Sequence, residues 1–164
     1  MSRRTAWTVT RSFVMVAMIA ACTVAAGQSS ATDAAHDTEP VRVAAEHFLR
    51  VFDNLEWEQF RAMWAPEPTV FFPFDAVPDR ATGKAAVEAT FQRFFDQTRA
   101  TRPGPPYLHL NARELLVERY GDTGIVTFML EGSGGRVGRR TLVFVRDKNE
   151  WKLVHLHASS AGQP

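Results

Sequence analysis

Apolar side chains change their period along the chain, and the changes mark out its elements. From Pro40 they recur every three or four residues: Val41, Ala44, Ala45, Phe48, Val51, Phe52 and Leu55, with Arg42, Glu46 and Arg50 on the opposite face. That spacing predicts an amphipathic helix, and Pro40 suits its first turn. Asp53 with Glu56 three residues on reads as a capping box that restarts a short second helix. It carries Trp57, Phe60, Met63 and Trp64 and stops at Pro66 and Pro68. Thr69 to Phe72 reads as a strand that Pro73 keeps short or at an edge. Thr82 suits the cap of a third helix with Val87, Phe91, Phe94 and Phe95 on one face, and residues 101–106 form a Pro/Gly-rich break. From Tyr107 the period becomes strand-like, predicting strands over 107–120 (long or bent), 124–131, 139–146 and 151–159. The order α-α-β-α-β-β-β-β is that of an α+β domain, a curved, mainly antiparallel sheet wrapped around its N-terminal helices. Such a sheet forms a cone-shaped barrel, and the open end of the cone is its natural pocket.

Ahead of this domain lies a different kind of sequence. Arg3, Arg4 and Arg11 precede an uncharged run from Val14 to Ala26. A basic start, about a dozen apolar residues and a small-residue exit predict a signal peptide over residues 1–26 and an exported protein, periplasmic or extracellular. The run is short of the ~20 apolar residues of a membrane-spanning helix. Ile19-Ala20-Ala21-Cys22 resembles a bacterial lipobox, which would lipidate Cys22 and anchor the protein to a membrane; Val24-Ala25-Ala26 is an equally good ordinary cleavage site. Residues 27–39 are small and polar and read as a flexible linker, leaving residues 40–160 as the folded domain.

Composition narrows the classes. The 164 residues carry a formal charge of +1 and one cysteine. A lone cysteine excludes a disulfide framework, and near-neutral charge argues against a nucleic-acid binder. Removing the leader takes away three arginines and no acid, so the mature chain has a formal charge of −2. The sequence has no serine-hydrolase elbow, and Gly132-Ser133-Gly134-Gly135 lacks the lysine of a phosphate loop. No cofactor motif is present.

The element order, together with Trp64-Ala65-Pro66-Glu67-Pro68-Thr69-Val70-Phe71, Thr82-Gly83-Lys84-Ala85-Ala86 and the closing Trp151 to Ser159, resembles the SnoaL-like branch of the nuclear-transport-factor-2-like superfamily. The last strand, with its W-x-x-V-H-x-H-x-S pattern, also resembles the association domain of calmodulin-dependent kinase II. The resemblance implies a cone-shaped α+β barrel, frequent dimers through the sheet, and functions from isomerase and polyketide cyclase to simple assembly. Ketosteroid isomerases of this superfamily place an acidic base just after the first strand's T-V. Here that place holds Phe71 and Phe72, and Asp75 is the nearest carboxylate that could substitute.

Other candidates come from strand alternation. Tyr107 and His109 on one predicted strand set a phenol and an imidazole side by side for acid–base work. His155 and His157 sit two apart, about 7 Å on a strand. They would line the pocket or join the interface; His109 and Glu131 are the nearest third metal ligands, but spacing fixes neither and no metal is assigned. Trp151, Leu153, His155, His157 and Ser159 are expected to share one face of the last strand. Trp64, Phe72, Phe91 and Phe128 are expected to line the cone or, if it is filled, to plug it. Arg136, Arg139 and Arg140 form a small basic cluster that could bind an acidic ligand or partner, but such a trio is usually a solvated hairpin edge. The leading expectation is an exported domain that binds a small, mostly apolar molecule and pairs as a homodimer through its sheet. The alternatives are an isomerase, cyclase or dehydratase using groups in the cone, and a non-catalytic oligomerisation module.

Overall fold

The computed structural model describes residues 37–73, 77, 79–131 and 137–160. The expected signal peptide with Cys22, most of the expected linker, Asp75 and residues 132–136 lie outside these residues. The chain forms α1 (Glu39–Asp53), α2 (Trp57–Ala62), β1 (Trp64–Phe71), β2 (Ala81–Thr82), α3 (Lys84–Thr101), β3 (Ala112–Tyr120), β4 (Thr123–Glu131), β5 (Val137–Asp147) and β6 (Glu150–Ser160). The strands make one sheet in the order β2-β1-β6-β5-β4-β3. β1 runs parallel to β6, and the other neighbours are antiparallel. This is the expected α+β order with the two-residue β2 added. Among the described residues no helix is long and apolar enough to cross a membrane.

Local signals misplace four boundaries. The second helix ends at Ala62, and Trp64 opens β1 opposite Leu153. Pro66 and Pro68 fall between Trp64 and Thr69, where the register with β6 shifts. A residue with no N–H is tolerated at such an irregularity. Gly83, at φ 83°, caps α3, while Thr82 pairs with Thr69 in the sheet. Asp53 does not cap α2, which begins after Glu56 with no side-chain cap bond. Instead the Asp53 carbonyl accepts from the N–H groups of Tyr107 (2.9 Å) and Leu108 (3.3 Å), and its carboxylate accepts from the N–H of Leu110 (3.1 Å). Those donors are lost to any ladder, so β3 starts at Ala112 and not at Tyr107.

The helices close the concave side of the sheet. α1 buries Val41, Ala45, Phe48 and Val51, and α3 buries Val87, Phe91 and Phe95. Phe52 ties the helices together, its ring centroid 5.7–5.8 Å from those of Phe48, Phe60, Phe91, Phe94 and Phe95. Edge-to-face pairs such as Phe60–Phe91, at 4.7 Å, add to the burial of apolar area. At the other end of α1 the helix touches the sheet directly. A Cβ on Gly124 would lie 2.5 Å from Val41 Cγ1, closer than packed carbons approach.

The outer face of the sheet is decided by a bulge. Val143 faces His155 and Phe144 faces Leu153, so Val154 is an extra residue in β6. The bulge reverses the alternation: Leu153, Leu156 and Ala158 are all buried, and His157 is exposed. The expected single face from Trp151 to Ser159 is therefore broken, with Leu153 facing the core and the two histidines facing out. There the Thr69 hydroxyl and His155 Nδ1 share a 2.7 Å hydrogen bond, and the Phe71 ring lies 6.1 Å from His155 and 5.6 Å from His157. Burial holds the His155 imidazole below its ordinary value; His157 and Arg80 push the same way, and a hydrogen bond with the Thr69 main chain opposes them.

Two outcomes follow from these contacts. Gly124→Ala should lower the unfolding free energy by about 1–3 kcal/mol, the usual effect of overpacking, in denaturant titration. Adding Val41→Ala should cost less than the sum of the two single changes, because each relieves the other. His155 is harder to protonate in the folded chain than in the unfolded chain, whose histidine titrates near 6.5. The unfolded state therefore binds more protons as pH falls below about 6.5, and stability is lost through that window. The melting temperature should drop between pH 7 and 5, and His155→Gln should flatten that part of the profile.

Candidate functional site

The concave face and the helices enclose a cavity of about 630 Å³. α1 contributes Phe48, Leu49 and Phe52, α3 contributes Phe91 and Phe94, and Phe72 with Pro73 closes the side after β1. The sheet supplies Phe128 and Leu130 from β4, Gly138 and Arg140 from β5, and Leu156, Ala158 and Ser160 from β6. The segment 108–110 completes the wall with Leu108, His109 and Leu110. That segment hangs on Asp53, so one residue at the end of α1 sets the position of His109.

Polar groups gather at the exposed end. Arg102, His109 and Glu131 lie on the wall and are exposed to solvent. His109 has φ 53°, in the left-handed region that residues with a Cβ rarely adopt. Glu131 is already engaged: Arg113 lies 2.8 Å from one carboxylate oxygen, and the Asn111 amide donates to the other at 3.0 Å. Among the described residues no three His, Cys, Asp or Glu side chains come close enough to hold a metal ion.

Arg140 is a half-buried cation on the cavity wall. It pairs with Phe128 on one side and Ala158 on the other, in a row of concave-face residues. Its Nη1 donates to the carbonyls of Arg139 (2.8 Å) and Ser159 (3.0 Å). The guanidinium lies over Gly138, where a Cβ would stand 2.6 Å from Nη1 and 2.8 Å from Nη2. Burial pushes Arg140 below the ordinary arginine value, and no carboxylate among the described residues pairs with it.

Of the residues singled out from sequence, the structure brings Phe72, Phe91, Phe128 and His109 together on the cavity wall. Trp64 is buried in the core behind that wall, 5.7 Å from Phe91, and the cone is not plugged. Tyr107 is absent from the wall; its ring lies against Gly104. His155 and His157 face away from the cavity because of the bulge at Val154. Asp75 lies outside the described residues. Arg140 was read as a solvated edge, yet alternation could have placed it: Gly138, Arg140, Leu142 and Phe144 share a face, and an arginine in an otherwise apolar row points inward.

Comparisons with known proteins agree with this architecture. The chain is similar in structure to a Streptomyces avermitilis protein proposed as a dehydratase of the NTF2-like family, with TM-score 0.65 and 22% identity over 77% of this chain and 97% of that one. It is also similar to the CaMKII hub of S. rosetta, with TM-score 0.60 and 27% identity over 76% and 97% of the two chains. A Parabacteroides distasonis protein proposed as a ketosteroid isomerase matches with TM-score 0.59 and 16% identity over 76% and 88%. No curated protein matches the sequence significantly. The family model of the SnoaL-like domain matches residues 41–163, and the chain belongs to that family, with the NTF2-like fold.

Proposed function

We propose that this is an exported domain that binds a small, mostly apolar molecule in its cone. The cavity carries the reading. About 630 Å³ stays open between phenylalanines of α1, α3 and β4, beside a core that is otherwise closely packed. Small-molecule sites span about 300–1,000 Å³ and are mostly apolar with a few placed polar groups. Phenyl rings on facing walls suit a flat or cyclic skeleton. A second reading, acid–base chemistry of the isomerase or dehydratase kind, is favoured by one observation. His109 holds a left-handed backbone conformation on the cavity wall, and such conformations gather at functional sites.

Export rests on the basic start and uncharged run of residues 1–26, with Cys22 or Gly27 as the mature N-terminus and a lipid on Cys22 in the first case. The outer sheet face supports pairing with a second copy of the chain. Phe71 (37%), Leu116 (56%), Tyr120 (61%) and Val145 (36%) are exposed there, beside half-buried Ile125, Met129 and Val143. Apolar area of this kind is what the middle of a homodimer interface uses.

The neutral probe N-phenyl-1-naphthylamine should bind saturably with micromolar affinity, read by its fluorescence. Ala158→Phe, which fills the cavity from β6, should weaken it at least tenfold. Absence of saturable binding, or binding untouched by Ala158→Phe, would sink the cavity reading. Native mass spectrometry of the full chain expressed in a bacterial host should give two-chain particles whose subunits begin at Cys22 or Gly27. Subunits that retain Met1, or single chains at micromolar concentration, would contradict export or pairing.

A further inference from the structure

Arg140 is out of place by every rule that governs the rest of the concave face. Its row neighbours are Phe128 and Ala158, and the rows on either side hold Leu130, Gly138 and Ser160, then Val126, Leu142 and Leu156. A half-buried cation in such surroundings is normally offset by a carboxylate. The one acid on the cavity wall among the described residues, Glu131, is committed to Arg113 and Asn111. The remaining charged group on the wall among the described residues is another cation, Arg102. Among the described residues, the cavity wall therefore carries positive charge without a free acid to offset it, beside its phenyl rings.

The fork itself is held ready. Nη1 is pinned by two main-chain carbonyls, which fixes the plane of the guanidinium and leaves Nε and Nη2 without a hydrogen-bond partner among the described residues. Gly138 leaves the space in which that plane lies, since any side chain there would collide with it. A planar fork with two unspent donors beside an apolar cavity matches a carboxylate, which accepts two parallel N–H bonds.

We infer that Arg140, seated on Gly138, is a carboxylate-binding subsite, and that the cone takes a small aromatic or cyclic carboxylic acid. The acid group lies against the guanidinium and the ring against Phe128, Phe91 and Phe52. This assignment rests on the reading of the cavity as a ligand site and adds the chemical class of the ligand. Arg102 at the mouth lies beside the path of an entering anion and helps draw it in.

The test is competition against N-phenyl-1-naphthylamine by 1-naphthaleneacetate and by its neutral isostere 1-naphthaleneacetamide. In the wild-type protein the acid should compete about ten- to a hundred-fold better than the amide, the range for a charge-assisted hydrogen bond in a partly buried site. Arg140→Met should reduce that ratio to about one, and Arg140→Lys should keep only part of it. Gly138→Ala, which displaces the guanidinium but leaves its charge, should also lower the ratio. Equal competition by acid and amide in the wild type overturns the subsite while leaving the cavity reading intact. Failure of the neutral probe to bind overturns the cavity reading itself. A preference for the acid that survives in a folded Arg140→Met protein assigns the anion to another group and also overturns the proposal.

Discussion

The cone exists because α1 meets the sheet closely at one end and stands away from it at the other. At the N-terminal end Val41 presses on Gly124, and the missing Cβ lets the helix lie directly on β4. Farther along the same two elements, Phe48 and Phe52 face Phe128 and Leu130 across open space. One residue without a side chain therefore fixes the tip, and large side chains keep the mouth apart. The rest is arranged around that wedge. α3 fills the flank with Phe91 and Phe95, α2 closes the base with Phe60, and Phe52 joins all three helices through its ring contacts. Because a close-packed interior transmits small displacements, the shape of the cavity depends on a contact at the far end of the helix.

Bulges then decide what each strand shows to each side. Val154 in β6 lets Leu153 and Leu156 both face the core, three residues apart instead of two. Without it, His155 and His157 would share the concave side with Leu153, and two polar rings would enter the apolar floor. A second irregularity, between Arg113 and Leu116 of β3, contains Glu114 at φ 55° and bends that edge strand. Such features cost local hydrogen bonds but re-aim side chains and curve the sheet, and a cone requires that curvature.

The same features mark the limit of what could be read from the chain. The helical stripe of Val41, Ala45, Phe48 and Val51, the change of period after the Pro/Gly break and the antiparallel hairpins are all local, and each is present in the structure. Phe72, Phe91 and Phe128 were legible as cavity-facing because their neighbours alternate or repeat regularly. His155 and His157 were not, because a single inserted residue flips every later assignment on a strand. Asp53 failed for another reason. Its partners are more than fifty residues away, and nothing in Asp53-Asn54-Leu55-Glu56 distinguishes a helix cap from a long-range anchor. Arg140 was legible in principle, since strict alternation from Phe144 back to Gly138 places it inside. Its neighbours Arg136 and Arg139 drew the reading toward a solvated edge.

Arg140 also bears on what the cone is for. A row containing Phe128 and Ala158 would hold a leucine or methionine at this position with no desolvation penalty and better packing, since replacing buried charge with apolar volume is often neutral or stabilising. The guanidinium instead loses water on one face and gains two main-chain carbonyls, with no carboxylate among the described residues to offset the loss. Gly138 compounds the expense, because glycine is among the poorest residues for the interior of a strand and contributes no side chain to the core. Two neighbouring choices that both weaken the sheet are hard to explain by folding, yet each follows from holding a charged fork at a cavity wall. The part of the barrel least suited to stability is therefore the part best suited to recognising an anion.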